Sequence, residues 1–173
     1  MADRTVTFKG APLPVEGSEL KPGDKAPDFK LQVRSDAGLE DVSLANFAGK
    51  TVILSVVPSL DTSVCALQTK KFNERATQLP DNVAILTASM DLPFAQARFC
   101  GAEGINKIQV ASAHRDANFG KAYGALISGG PLERILARSI FVIGPDGRLK
   151  YVEYVPELTN EPNYDAALAA AAG

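Results

Sequence analysis

Two runs of branched and apolar residues constrain the fold of this 173-residue chain more than any other feature. Residues 51–57 read TVILSVV, and residues 83–89 read VAILTAS. Nearly continuous apolar runs of this length are typical of strands covered on both faces, as in a parallel sheet. Between them, Cys65 and Phe72 recur at helical spacing, which predicts a helix that begins near Thr62. The segment therefore predicts a βαβ unit with parallel strands and a right-handed crossover.

The rest of the chain places further strands and helices around this unit. The predicted elements are a hairpin within 1–16, a strand at 29–33, a helical turn at 42–47, a helix from Pro93 to about Gly101, a strand at 108–111, a helix at 117–123, a strand hairpin at 139–143 and 149–155, and a helix at 163–172. This order matches an α/β thioredoxin-like fold, a central mixed sheet flanked by helices, with the N-terminal β-hairpin added. Because the chain shows no repeat and no low-complexity linker, we expect residues 1–173 to form a single domain.

Composition excludes several classes of function. The chain has two cysteines and one histidine, which cannot fill a four-ligand zinc site without a carboxylate and cannot build a disulfide-rich scaffold. Its 18 basic and 20 acidic residues give a net charge of −2, so there is no electrostatic reason to expect nucleic acid or an anionic membrane as a partner. The N-terminus lacks the apolar run of a signal peptide, and no stretch approaches a membrane span. We therefore expect a cytoplasmic protein, in which cysteines are usually free thiols.

The position of Cys65 suggests chemistry. It follows a buried strand and lies at the start of the predicted helix, where unpaired N–H groups and the positive helix end favour a thiolate. A thiolate is the reactive form of cysteine. The alternative interpretation is a buried cysteine that acts as a small hydrophobic side chain.

Three motifs resemble one family. Residues 58–65, PSLDTSVC, contain the pattern P-x-x-x-T-x-x-C, and KFN follows at 71–73. Residues 91–104, DLPFAQARFCGAEG, and 136–139, LARS, complete the set in the same order along the chain. These motifs and the N-terminal hairpin resemble the thiol peroxidase subfamily of the peroxiredoxins, of the atypical two-cysteine type.

The resemblance implies a role for each site residue. Cys65 would be the peroxidatic cysteine, which attacks a peroxide oxygen and becomes a sulfenic acid. Thr62 would hydrogen-bond the thiolate and the peroxide, Arg138 would stabilise the thiolate and the developing charge on oxygen, and Pro58 would shape the pocket and shield the sulfur. Without the resemblance, Thr62 would be interpreted as a helix cap and Arg138 as a surface cation.

Cys100 would be the resolving cysteine, which closes an intramolecular disulfide with Cys65. It lies about seven residues beyond Pro93, roughly 10 Å along its helix, whereas a disulfide tolerates Cα separations up to about 7 Å. We therefore expect the reduced protein to hold the two sulfurs out of bonding range, so that closure requires the first turn of the Cys65 helix and the region around Cys100 to unwind.

His114 has no obvious partner in the sequence, so we expect it to have a structural or surface role.

The resemblance also implies the partners of the reaction. The substrates would be hydrogen peroxide and organic (alkyl) hydroperoxides, the reductant would be thioredoxin, and the protein would be a homodimer. No bound organic cofactor is needed, because cysteine sulfur carries the redox change. The residues proposed as apolar pocket walls are Leu60, Val64, Phe94, Ile127, Ile135 and Leu136.

Two other functions remain open from the residues alone. A thiol–disulfide oxidoreductase would share the fold, but that chemistry usually uses C-x-x-C, and position 62 is Thr. A non-enzymatic redox sensor would use the same two cysteines to rearrange its surface on oxidation. Catalytic turnover distinguishes the peroxidase from the sensor.

Overall fold

The structure is a computed structural model that describes residues 4–173. Its strands are β1 Arg4–Phe8, β2 Ala11–Glu16, β3 Leu31–Ser35, β4 Gly38–Val42, β5 Thr51–Val56, β6 Val83–Ser89, β7 Gln109–Ser112, β8 Leu126–Ile127, β9 Ser139–Ile143 and β10 Leu149–Tyr154. Its α-helices are α1 Ser63–Arg75, α2 Pro93–Glu103, α3 Phe119–Ala122 and α4 Tyr164–Ala172, and two short 3-10 helices span Leu44–Phe47 and Ala76–Gln78.

Seven strands form the central sheet, in the order β10-β9-β5-β6-β7-β3-β4. β5 pairs with β6 and β6 pairs with β7 in parallel, while the other neighbours are antiparallel. The predicted βαβ unit is thus confirmed at the centre of a mixed sheet, and the thioredoxin-like prediction is correct. Because β5 is buried along its whole length, the segment that follows it emerges from the middle of the molecule.

Hydrophobic clusters cover both faces of the central sheet. On one face Phe119 and Tyr123 pack against Phe141 of β9. On the other, Phe72 of α1 and Leu168 of α4 pack against β5, β6 and β9. Helix α1 is therefore fixed to the sheet by its apolar side. Of the polar residues expected to lie elsewhere on the helix, Glu74 is exposed, whereas Asn73 is buried.

The hairpin predicted within 1–16 is confirmed for its described part, and residues 1–3 lie outside the described residues. β1 and β2 pair across the two-residue turn Lys9 and Gly10, with Phe8 opposite Ala11. Strand β2 then pairs with β8, which gives a separate sheet in the order β1-β2-β8. The hairpin thus packs on the body of the protein through its own small sheet.

Some boundaries differ from the prediction. Helix α2 does not end near Gly101 but continues to Glu103, because Gly104 supplies the left-handed residue, φ 67°, that ends it. Cys100 therefore lies inside the helix, and its carbonyl accepts hydrogen bonds from the N–H groups of Gly104 and Ile105. Strand β4 was not predicted, because it is a mostly exposed edge strand with no apolar alternation.

Candidate active site

Cys65 is the third residue of α1, and its side chain is fully buried. The chain leaves β5 at Val56, turns through Pro58 and reaches the N-cap position of the helix at Thr62. The thiol lies in a small apolar cluster that includes Leu60 and Phe99. The predicted position at the start of a helix after a buried strand is confirmed.

Arg138 contacts the thiol. Its Nη2 lies 3.5 Å from Cys65 Sγ, and the side chain is only 2% exposed. Nε and Nη2 donate to the carbonyl oxygen of Leu158 at 3.1 and 2.7 Å, and Nη1 donates to Gln68 Oε1 at 2.9 Å. These two oxygen partners are neutral, so they orient the guanidinium without cancelling its charge. A positive charge held beside a cysteine favours the thiolate.

Gln68 completes the support of Arg138, a role that the sequence motifs do not predict. Its side chain is fully buried on α1, and Nε2 donates to Ser55 Oγ of β5 at 2.7 Å. The amide therefore links the strand, the helix and the guanidinium. Its position three residues after Cys65 could have indicated that Gln68 belongs to the site, because this spacing places both side chains on one helix face.

A cavity of about 260 Å³ lies next to the first turn of α1, and Cys65 itself does not line it. Three predicted site residues, Pro58, Thr62 and Arg138, line it together. The remaining lining residues are Phe8, Lys9, Ser63, Val64, Leu132, Ile135, Leu158 and Thr159. Arg138 therefore reaches both the cavity and the sulfur, so a molecule in the cavity meets the same guanidinium that contacts Cys65.

The apolar walls differ from those suggested by the sequence. Val64 and Ile135 line the cavity as expected, whereas Phe94 is 54% exposed on the surface. The residues that lie buried in the protein core instead are Leu60, Ile127 and Leu136. Phe8 of the N-terminal hairpin supplies an apolar wall of the cavity in their place. From the sequence, the hairpin was expected only as an addition to the fold.

Thr62 lies at the cavity but has a different hydrogen bond from the one expected. Its hydroxyl donates to the carbonyl oxygen of Ser59 at 2.7 Å, not to the sulfur of Cys65. The hydroxyl oxygen keeps its lone pairs as acceptors. In this state Thr62 stabilises the turn that precedes α1.

Asp91 anchors the same turn from the neighbouring strand end. Its carboxylate accepts hydrogen bonds from Ser59 Oγ at 2.8 Å, from the Leu60 N–H at 2.9 Å and from Ser89 Oγ at 2.6 Å. Asp91 directly precedes the N-cap of α2, the helix that carries Cys100. One carboxylate therefore connects the loop before Cys65 with the start of the second cysteine's helix.

Both cysteines are free thiols in the structure. Cys100 is partly buried against the apolar cluster that contains Cys65, and it also borders a separate cavity of about 200 Å³. Burial raises the pKa of the Cys100 thiol to about 11. In this state Cys100 is a protonated, weakly nucleophilic group.

His114 lies apart from the cysteine site. Its Nδ1 is 2.8 Å from Ser112 Oγ, and it borders a different cavity from the one that Arg138 lines. The contact is local, between residues two positions apart at the end of β7.

Comparisons with known proteins agree with the fold. The family model described as Redoxin matches residues 21–168. The chain is 51% identical over 166 residues to the thiol peroxidase of Bacillus subtilis, covering 96% of this chain and 95% of that protein. It is 53% identical over 168 residues to the thiol peroxidase of Leptospira interrogans, covering 96% of each.

Solved structures give the same result. A peroxiredoxin-like protein from Aquifex aeolicus superposes with a TM-score of 0.85 at 43% identity, covering 96% of this chain and 94% of that one. A thiol peroxidase from Chromobacterium violaceum superposes with a TM-score of 0.84 at 25% identity, covering 95% and 93%.

The chain therefore belongs to the redoxin family, and within it to the thiol peroxidase subfamily of the peroxiredoxins. It is an enzyme that reduces peroxides with a thiol. Among residues 4–173, no helix is long and apolar enough to cross a membrane.

Proposed function

We propose that Cys65 is the peroxidatic cysteine of this enzyme. The observation that carries the proposal is the 3.5 Å contact between Arg138 Nη2 and Cys65 Sγ beside the cavity. The Cys65 thiolate attacks the terminal oxygen of a hydroperoxide, the S–O bond forms and the O–O bond breaks. The leaving oxygen takes a proton to give water or an alcohol, and Cys65 becomes a sulfenic acid.

Arg138 stabilises both the attacking thiolate and the leaving oxygen. Its fixed N–H groups favour the thiolate before reaction and face the negative charge that builds on the leaving oxygen, as donors in an oxyanion hole do. One such donor is typically worth ~3 kcal/mol. Pro58 shapes the cavity and shields the sulfur, and the Thr62 hydroxyl turns from the Ser59 carbonyl toward the thiolate and the bound peroxide.

Cys100 then acts as the resolving cysteine. Its thiol attacks the Cys65 sulfenic acid, the S–S bond forms and one water molecule leaves. Since Cys65 is fully buried and Cys100 is partly buried inside α2, we propose that the first turn of α1 and the end of α2 open for this step. Thioredoxin, a dithiol, reduces the disulfide and restores both thiols.

The substrates are proposed to include organic hydroperoxides as well as hydrogen peroxide. Apolar residues such as Phe8, Val64 and Leu132 line the cavity and suit an alkyl group.

We further propose that residues 1–173 work as one domain and assemble as a homodimer, as the family resemblance implies. Free thiols suit a reducing compartment, so we propose the cytoplasm as the site of action.

The proposal is tested by peroxide consumption coupled to thioredoxin, thioredoxin reductase and NADPH, with hydrogen peroxide and cumene hydroperoxide compared. Cys65→Ser is expected to abolish turnover with both peroxides, whereas Cys100→Ser is expected to block recycling but not the first reduction. If Cys65→Ser retained normal turnover, the assignment of the peroxidatic cysteine would be wrong.

A further inference from the structure

Glu157 fastens the N-terminal hairpin to the loop that follows β10. Three of its hydrogen bonds reach the hairpin, from Thr7 Oγ1 at 2.6 Å, from the Lys9 N–H at 3.0 Å and from the Gly10 N–H at 3.1 Å. Two more, from the N–H and hydroxyl of Thr159 at 3.1 and 2.8 Å, hold the carboxylate within its own turn. Both oxygens are therefore occupied by donors from two segments about 150 positions apart.

The hairpin turn that Glu157 binds has an unusual backbone. Lys9 has φ 52° and Gly10 has φ 82°, so both turn residues are left-handed. Two-residue hairpin turns of this type favour Asn or Gly, and an L-residue with a long side chain adopts the conformation at a cost of about 1 kcal/mol. The strained turn presents two consecutive N–H groups to one carboxylate, which offsets that cost.

The same contact joins two walls of the cavity. Phe8 and Lys9 line it from the hairpin, and Leu158 and Thr159 line it from the loop next to Glu157. The backbone adds two hydrogen bonds between these segments, from Thr7 N to the Pro156 oxygen at 2.7 Å and from Leu158 N to the Thr7 oxygen at 2.8 Å. Phe8 and Lys9 therefore form part of the cavity wall only while the hairpin is docked.

We propose that Glu157 is a positioning residue for the organic part of the peroxide: by holding the hairpin tip, it keeps Phe8 in the cavity wall and so sets the preference for hydroperoxides that carry a carbon chain. The proposal rests on the proposed function, because it concerns the same cavity. Hydrogen peroxide has no carbon chain to pack against Phe8, so its reduction depends on Arg138 and Cys65 and only weakly on the hairpin.

Glutamine cannot replace the carboxylate at this position. One of the two oxygens of Glu157 becomes an NH₂ group, which donates but does not accept. Each oxygen receives at least one backbone N–H, from Lys9 and Thr159 on one side and from Gly10 on the other. Glu157→Gln therefore sets an amide NH₂ against a backbone N–H, and the hairpin tip is released.

The test measures kcat/KM of the full-length enzyme for hydrogen peroxide and for cumene hydroperoxide. For Glu157→Gln we expect kcat/KM for cumene hydroperoxide to fall by about fivefold or more, and kcat/KM for hydrogen peroxide by less than about twofold. The matched control is Glu40→Gln, which removes a carboxylate that binds Ser35 in the β3–β4 hairpin, away from the cavity. The control should leave the ratio of the two constants unchanged.

A second variant keeps the test decisive if Glu157→Gln lowers stability. Phe8→Ala should shift the same ratio in the same direction, and the double variant should shift it no further than the larger single change. Equal losses for both peroxides, an unchanged ratio in the Glu157 variant or additive shifts in the double variant would overturn the proposal. Absence of peroxide turnover in the unaltered enzyme would instead contradict the proposed function.

Discussion

Arg138 Nη2 lies 3.5 Å from Cys65 Sγ, and both side chains are almost completely buried. Among the described residues, the other hydrogen-bond acceptors of this guanidinium are a backbone carbonyl and an amide, both neutral. Among these hydrogen-bond partners, the thiol of Cys65 is the one that can carry a negative charge. The guanidinium is therefore held against the sulfur while the site is still closed.

The substitution Arg138→Lys tests this relationship while keeping the positive charge. Lysine cannot place three nitrogens at once, so it loses the fork that bonds Leu158, Gln68 and the sulfur together. We expect the second-order rate constant for Cys65 oxidation to fall by roughly 100-fold. Rapid mixing with peroxide measures that constant, and a fall of less than about threefold would contradict the role given to the guanidinium.

Asp91→Asn is expected to loosen the loop before Cys65. The amide removes the negative charge that now accepts the hydrogen bonds from Ser59, Leu60 and Ser89, so these bonds become weaker. An earlier opening of the loop favours the disulfide over further oxidation of the sulfenic acid.

We therefore expect less sulfinic acid on Cys65 at excess peroxide, as measured by mass spectrometry under thioredoxin-coupled turnover. Asp81→Asn is the control, because Asp81 is exposed in the turn before β6. An unchanged or larger sulfinic acid fraction in Asp91→Asn would show that the Asp91 contacts do not restrain the loop.

The Cys100 thiol provides a pH-dependent prediction. Burial raises its pKa from 9.0 to about 11, so the folded protein disfavours the thiolate. The associated contribution to folding stability is fully present below pH 9 and is lost as the pH rises toward about 11.

The measurement is the alkylation rate of Cys100 by iodoacetamide in Cys65→Ser, followed against pH. The native protein should titrate near pH 11, and the urea-unfolded protein near the ordinary value of 9.0. Identical midpoints in the two states would contradict the burial effect.

The contribution of Glu157 to folding stability is expected to depend on pH. Hydrogen bonds from Thr7 and Thr159 lower the pKa of its carboxyl from 4.5 to about 2. A depressed pKa stabilises the folded state above the unfolded value and ceases to do so as the pH falls through the folded value.

The gap in urea unfolding midpoint between the unaltered enzyme and Glu157→Gln should be largest above pH 4.5 and should shrink toward pH 2. A gap that stays constant over this range would show that the carboxylate charge is not responsible.

The central part of the fold follows from local sequence patterns. The apolar runs of β5 and β6 fix the parallel pair, and the helical spacing between them places Cys65 in the first turn of α1. These features depend on neighbouring residues, so periodicity is sufficient to predict them.

The support around the thiol could not be predicted in the same way. Gln68 pairs with Arg138 across 70 positions, and Glu157 pairs with Thr7 across 150 positions. Such contacts depend on how strands and loops meet in three dimensions, and neither glutamine nor glutamate has a local pattern that identifies its partner. The place of Phe8 in the cavity wall could not be predicted either, because it depends on the same long-range contacts of the hairpin.

The most direct test of the central claim is the intact mass of the reduced enzyme after one equivalent of hydrogen peroxide. We expect the unaltered enzyme to lose two hydrogens, as the Cys65–Cys100 disulfide forms. We expect Cys100→Ser to gain one oxygen atom on Cys65, and Cys65→Ser to keep its mass. Gain of oxygen by Cys65→Ser, as fast as the unaltered enzyme is oxidised, would contradict the assignment of Cys65 as the residue that attacks the peroxide.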